Sequence, residues 1–282
     1  MIKSEQTIVL PPSHQQALKR AVANLENQDF AAWLAGYAGR PISRAMRLMP
    51  KAVADRINNV VEVVILNSLN IAIRSIEPQS KRPPAQHMAT LLAGLSGGAS
   101  GLFGIAALPI ELPVTTTLML RAIADIARHH GEDLSTLEAR LACVEVFALG
   151  APEAGREMGI GYYAARTLIG RLAANATSVF VERGVANLST PVVSSLVAEI
   201  ATRFGVVVSE RAAASALPVL GAVGGATVNV IFMNHFQRVA RGHFVIRRLE
   251  RQYGPAIVRA LCKAQEMRCK PRGGSPVDGT KD

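Results

Sequence analysis

Aromatic side chains are scarce, making up 5% of the 282-residue chain. Few platforms are therefore available for stacking nucleic-acid bases, and no nucleic-acid recognition motif accompanies the net charge of +10. No nucleic-acid partner is expected. The three cysteines, Cys143, Cys262 and Cys269, lack ligand spacing. Their odd number argues against a disulfide framework and fits a reducing compartment. The first 26 residues have no sustained apolar run and carry early charges, which does not read as a signal peptide.

Several catalytic and binding signatures are also missing. There is no HExxH, CxxC or acidic calcium loop, so no metal is expected. Without GxxxxGK[ST] the chain does not read as a nucleotide hydrolase. GLSGGASG has no lysine to reach a phosphate, and GASGLFG lacks the strand-to-helix setting of a dinucleotide site. Ser96 and Ser100 sit in glycine-rich sequence without a nucleophile elbow. No cofactor is expected.

Formal charge is absent from two long segments, Pro83 to Ile110 and Ala212 to Gln237. Each is long enough to cross a bilayer, which takes roughly 20 apolar residues. Charge is biased around them. Residues 1–82 hold 11 Lys/Arg and 6 Asp/Glu, residues 83–211 hold 9 and 11, and residues 212–282 hold 11 and 4. Basic ends and an acidic middle suit a two-pass hairpin. Against this, the segments are rich in glycine, serine and alanine, Pro109 and Pro218 interrupt them, and Glu111 stands at an edge. The pairs Gly94/Gly98 and Gly97/Gly101 give a flat helix face suited to close packing. The expectation is a cytoplasmic protein peripheral to the inner face of the membrane, with an integral protein as the alternative.

Periodicity elsewhere is helical. Ser13 is a candidate N-cap for a helix from His14 to Leu34. Lys51 to Ile76 places Val53, Ile57, Val60, Val61, Val64, Ser68 and Ile71 on one stripe. LPIELP is expected to break the chain, with Pro113 opening a helix to His130. Ser135 with Glu138 reads as a capping box for the next helix. Thr190-Pro191 opens another, ending near Phe204 before the strand-like FGVVVS. A basic helix ends at Tyr253 and a short one starts at Pro255. The fold class is all-α, a single multi-helix bundle of about ten helices with glycine-rich, proline-interrupted central helices.

The candidate site residues are polar groups beside apolar runs, where burial is costly unless they are paired. Glu111 lies between two prolines, and Thr115, Thr116 and Thr117 follow it. Arg121, Asp125 and His129 recur every fourth residue, so Arg121 is a partner for Glu111 and Asp125 an orienter for His129. Glu111, Asp125 and His129 form a candidate catalytic set; the plainer reading is a helix-face ladder worth tenths of a kcal/mol per pair. Arg121, Glu145, Asn229 and His235 form a candidate buried polar cluster, with Asn229 expected to satisfy opened backbone. Arg238, Arg241, Arg247, Arg248 and Arg251 form a candidate lipid or partner surface on a partly amphipathic helix.

The block LLAGLSGGASGLFGIAALPIELPVTTTLMLRAIADIARHHGEDLSTLEARLACVEVFALG, residues 91–150, resembles the bacterial EcsC protein family. So does LPVLGAVGGATVNVIFMNHFQRVARGHFVIRRLERQYG, residues 217–254, and the likeness covers most of residues 50–260. It implies an α-helical domain and supplies no established catalytic residues. The family is named after a gene neighbouring an ABC-transporter operon, and some members are described as hydrolases or peptidases. The domain reading is a helical extension over 1–49, an EcsC-like domain over 50–268 and a disordered basic tail over 269–282. The functional expectation is a non-enzymatic, membrane-associated accessory protein linked to an ABC transporter, with a membrane surface or integral membrane protein as partner. The alternative is a hydrolase, metal-dependent or not, using Glu111, Asp125 and His129.

Overall fold

The computed structural model describes residues 10–26, 61, 63–65, 67–68, 86–101, 108–151, 162–163, 166–167, 170, 191–215 and 221–269. These residues form a multi-helix bundle, and no strand occurs among them. Seven helices are bounded: α1 Pro12–Glu26, α2 Gln86–Gly101, α3 Leu108–His129, α4 Leu137–Leu149, α5 Pro191–Ser215, α6 Gly221–Tyr253 and α7 Pro255–Cys269. The expected break at Pro218 lies outside the described residues.

Helix α6 is the shaft of the bundle and packs against all six others. Its 33 residues span about 50 Å at 1.5 Å per residue. Apolar residues occur around its circumference, so it buries more than one face. Phe232 and Phe236 meet Phe147 of α4 and Phe204 of α5, with Phe147 and Phe204 centroids 4.3 Å apart. A second cluster joins Leu18, Ala21 and Val22 of α1 to Ile246 and Leu249 of α6 and to Val258 and Cys262 of α7. Gly242 sets how closely α1 approaches: a methyl there would lie 2.7 Å from Leu25 Cγ and 2.8 Å from the Ala21 carbonyl oxygen. At Gly254 a φ of +88° turns the chain from α6 into α7, with Pro255 opening the next helix.

Local rules misplace several boundaries. Pro109 and Pro113 lie within α3, which starts at Leu108, instead of breaking the chain before it. Pro109 falls in the first turn, where an intrahelical donor is not needed. Pro113 forfeits one backbone bond, a loss that packing of α3 against α2, α4 and α6 outweighs. Thr136, not Ser135, caps α4; its side chain accepts from the Ala139 N–H at 3.2 Å. FGVVVS continues α5 to Ser215, well past Phe204. The second charge-free segment and the basic helix are continuous from Gly221.

Of the expected Lys51–Ile76 helix, only residues 61, 63–65 and 67–68 are described, all helical. Val61, Val64, Ile65 and Ser68 are buried, while Val63 is exposed.

Candidate functional site

Three polar constellations and one apolar surface are arranged around the shaft. The first ties α2 and α3 to α6. Asn229 is buried, and its Nδ2 donates to the Ala93 carbonyl at 2.9 Å and to Glu111 Oε1 at 2.8 Å. The amide joins three helices and supplies a partner to a buried carboxylate that would otherwise be costly. Glu111 also lies in the first turn of α3, where the helix dipole favours an anion. Nearby, Thr117 Oγ1 donates to the Pro113 carbonyl at 2.7 Å and lies 2.8 Å from Ser68 Oγ. Thr115 and Thr116 are buried beside them. Further along the seam, Thr90 of α2 meets Asn234 and Gln237 of α6, each at 3.3 Å.

The evenly spaced face of α3 does not form the expected pairs. Arg121 and His129 are exposed. Asp125 bonds Arg128 at 2.6 Å, and the His129 ring stands edge-on to His130 at 5.5 Å. Glu111 pairs with Asn229 in place of Arg121. Glu111 and Asp125 are fourteen residues apart on one helix, about 21 Å along its axis. The fold therefore does not bring Glu111, Asp125 and His129 to one reacting atom. His235 lies elsewhere, with Nε2 2.8 Å from the Gly150 carbonyl. Since a carbonyl can only accept, this bond requires the proton on Nε2 and fastens α6 to the end of α4.

The second constellation is centred on His243, which is fully buried. Its Nδ1 lies 3.1 Å from the Tyr162 hydroxyl, and its Nε2 lies 3.8 Å from Glu145 Oε2 without a hydrogen-bond partner. Burial pushes the Glu145 carboxyl up to about 7, against the opposing pull of Arg247 and Arg166. Burial, reinforced by the charges of Arg166 and Arg247, holds His243 well below its usual range. Above this pair, Arg166 makes a two-pronged bridge to Glu250 at 2.7 and 2.6 Å. Glu145 is legible in the sequence as a buried acid. His243, Tyr162, Arg166 and Glu250 are not, because Tyr162 and His243 are 81 residues apart and Arg166 and Glu250 are 84, and only the fold brings them together.

The third constellation surrounds Glu132, just beyond α3. Arg247 bonds Glu132 at 2.9 and 3.1 Å and Glu138 at 3.0 Å, and Arg251 also bonds Glu132. Burial alone would raise the Glu132 carboxyl, but the bonds and charges of these arginines hold it below the usual range. Burial, then the charge of Arg248, depresses the neighbouring His130 to about 4. Arg247 and Arg251 thus face protein carboxylates. Arg238 and Arg241 lie further back along α6, both partly exposed.

The apolar surface lies on α2. Ala93 and Gly94 are buried on its α6 side. Met88, Leu91, Leu92 and Leu95 are 58%, 57%, 42% and 63% exposed, and Val114 of α3 is 47% exposed. Their spacing on α2 makes one stripe, and the helix carries no charged residue.

The sequence model of the EcsC protein family matches residues 10–249. The chain belongs to the EcsC protein family. The EcsC match opens just before α1 and closes at Leu249, so it includes α1, the exposed face of α2, the Asn229 junction and the Glu145–His243 pair. No curated protein and no solved structure matches the chain. Among the described residues of this EcsC chain, no helix is long and apolar enough to cross a membrane, and no group of three or more His, Cys, Asp or Glu could hold a metal ion.

Proposed function

We propose that the protein is a non-enzymatic accessory protein that associates peripherally with a membrane through the outer face of α2. The observation that carries this reading is the exposed, charge-free stripe Met88, Leu91, Leu92 and Leu95. Such a face in water leaves apolar area that a bilayer interface can cover, and it follows one side of a helix as interfacial binding requires. The opposite side of α2 is held to the bundle by Asn229. The membrane would thus be met by a docked helix, not by an inserted hairpin.

Removing four half-exposed side chains from water contributes roughly 1 kcal/mol each, about 4 kcal/mol in all. That is enough for reversible docking and far below the insertion of a spanning helix. Cys143 and Cys262 are buried and neither is in a disulfide, which fits the cytoplasmic face. A connection to an ABC transporter is part of the proposal and rests on the family.

Fractionation tests it: the protein is expected with membranes in low-salt buffer and in the supernatant after a carbonate wash. Leu91→Asp with Leu95→Asp is expected to shift it to the soluble fraction with its melting curve unchanged. Wild-type protein found wholly in the soluble fraction would overturn the reading.

A further inference from the structure

We infer that Glu145, His243 and Tyr162 form a proton-linked switch inside the bundle. Loss of one proton from Glu145 moves the His243 proton from Nδ1 to Nε2 and reverses the bond to Tyr162. The inference is independent of bilayer docking. Three elements meet at the switch: Glu145 comes from α4, His243 from α6, and Tyr162 from the helical residues 162–163. His243 offers one ring nitrogen to each neighbour. Its Nδ1 lies 3.1 Å from the Tyr162 hydroxyl. Its Nε2 lies 3.8 Å from Glu145 Oε2 and has no hydrogen-bond partner among the described residues. A buried nitrogen in that state is costly, and a movement of the Glu145 carboxyl by about 1 Å gives it a partner.

A neutral imidazole has one donor nitrogen and one acceptor nitrogen, so its two bonds are coupled. With Glu145 protonated, the carboxyl O–H donates to Nε2, and the ring proton sits on Nδ1 and is donated to the Tyr162 oxygen. With Glu145 ionised, the carboxylate accepts from Nε2–H, Nδ1 becomes the acceptor, and the Tyr162 O–H turns to donate to it. One proton leaves the carboxyl for water and one is exchanged from Nδ1 to Nε2; the imidazole and the phenol stay neutral. The surrounding groups make Glu145 the one that titrates. Burial raises its carboxyl to about 7; Arg247 of α6 and Arg166 oppose the rise, while Glu138 of α4 and Glu132 add to it. Burial, then the charges of Arg166 and Arg247, keeps His243 from becoming an imidazolium. Burial pushes the Tyr162 hydroxyl up, with Arg166 opposing and Glu250, Cys262 of α7 and Glu145 reinforcing. Burial likewise pushes up the Cys143 thiol of α4, which stays protonated. Arg166, one turn beyond Tyr162, ties the same segment to Glu250 of α6. The switch thus acts on a contact that holds residues 162–167 to the shaft.

The test is proton–nitrogen correlation spectroscopy of the full chain labelled at the histidine ring nitrogens, which distinguishes the two neutral tautomers and the imidazolium. Tyr162→Phe identifies the His243 signal among those of the six histidines, and melting curves establish that each variant is folded. In wild type the His243 proton is expected on Nδ1 at about pH 5.5 and on Nε2 at about pH 8.5. The change should be centred at about 7, where Glu145 loses its proton. Glu145→Gln is expected to hold one and the same tautomer at both values. A single His243 tautomer throughout in wild type would overturn the inference. So would an imidazolium at the acidic value, which would place the titrating proton on His243, or a tautomer change that persists in folded Glu145→Gln.

Discussion

Replacing Glu145 with glutamine should stabilise the protein at alkaline pH and have little effect at acidic pH. The side chain is buried in α4, close to the shape of a glutamine, and its oxygen stands 3.8 Å from His243 Nε2. Burial raises its carboxyl from 4.5 to about 7. In the window between those values the folded protein holds a proton that the unfolded chain has released. The contribution of the neutral acid is therefore complete below 4.5, declines as pH rises through the window and is gone above about 7. The displacement corresponds to about 3 kcal/mol at 1.36 kcal/mol per unit. Glutamine is never ionised and escapes this loss. Urea unfolding at about pH 4 should give nearly equal stabilities, whereas at about pH 8.5 the variant should gain up to about 3 kcal/mol. In a chain of this size that is roughly 6–12 °C in melting temperature. His243 is displaced in the opposite sense, its neutral form being favoured in the fold. It costs stability as pH falls below its ordinary value, in both proteins alike, and largely cancels in the difference. A difference that does not change with pH would refute the argument. A variant less stable at alkaline pH would show that Arg247 and Arg166 hold Glu145 as a carboxylate.

Asn229→Ala should cost about 2–3 kcal/mol in urea unfolding, because the Ala93 carbonyl and the Glu111 carboxyl lose a buried donor together; a loss within experimental error would remove the junction as a structural element. Gly242→Val should cost about 1–3 kcal/mol by overpacking against Leu25 and the Ala21 carbonyl, with amide exchange rising first in residues 12–26, and unchanged exchange there would show that α1 does not depend on this close approach.

The helical class and several boundaries follow from short-range rules. Pro191 and Pro255 open helices because a proline at the first position gives up no needed donor. Asn229 is recognisable as a buried amide because no polar neighbour accompanies it in sequence. Other boundaries depend on distant packing. Pro113 ends a helix by local reasoning, yet α3 runs through it where neighbours hold both sides. FGVVVS has a strand's composition, yet Phe204, Val207 and Val208 lie in the core as part of a helix. Thr136, not Ser135, is the cap: its hydroxyl accepts from the Ala139 N–H, while the Ser135 N–H donates to the Asp133 carboxylate in the turn before the helix. The resemblance of residues 91–150 and 217–254 to one family places both blocks in one unit, and the family match over residues 10–249 covers the first and nearly all of the second.

Composition and period alone make the chain helical, rich in small side chains and divided between charge-free runs and basic ends. Which of those features face one another depends on long-range packing. Arg247 and Glu132 are 115 residues apart and become one bridge, whereas Asp125 and His129, one turn apart, do not pair. The same applies to the two charge-free segments. Residues 221–237 of one open the helix that packs against six others, and residues 86–101 of the other form a helix with one buried side and one exposed apolar side. The reason is that hydropathy records the cost of exposing a side chain to water, while the three-dimensional neighbours determine whether that cost is relieved within the bundle.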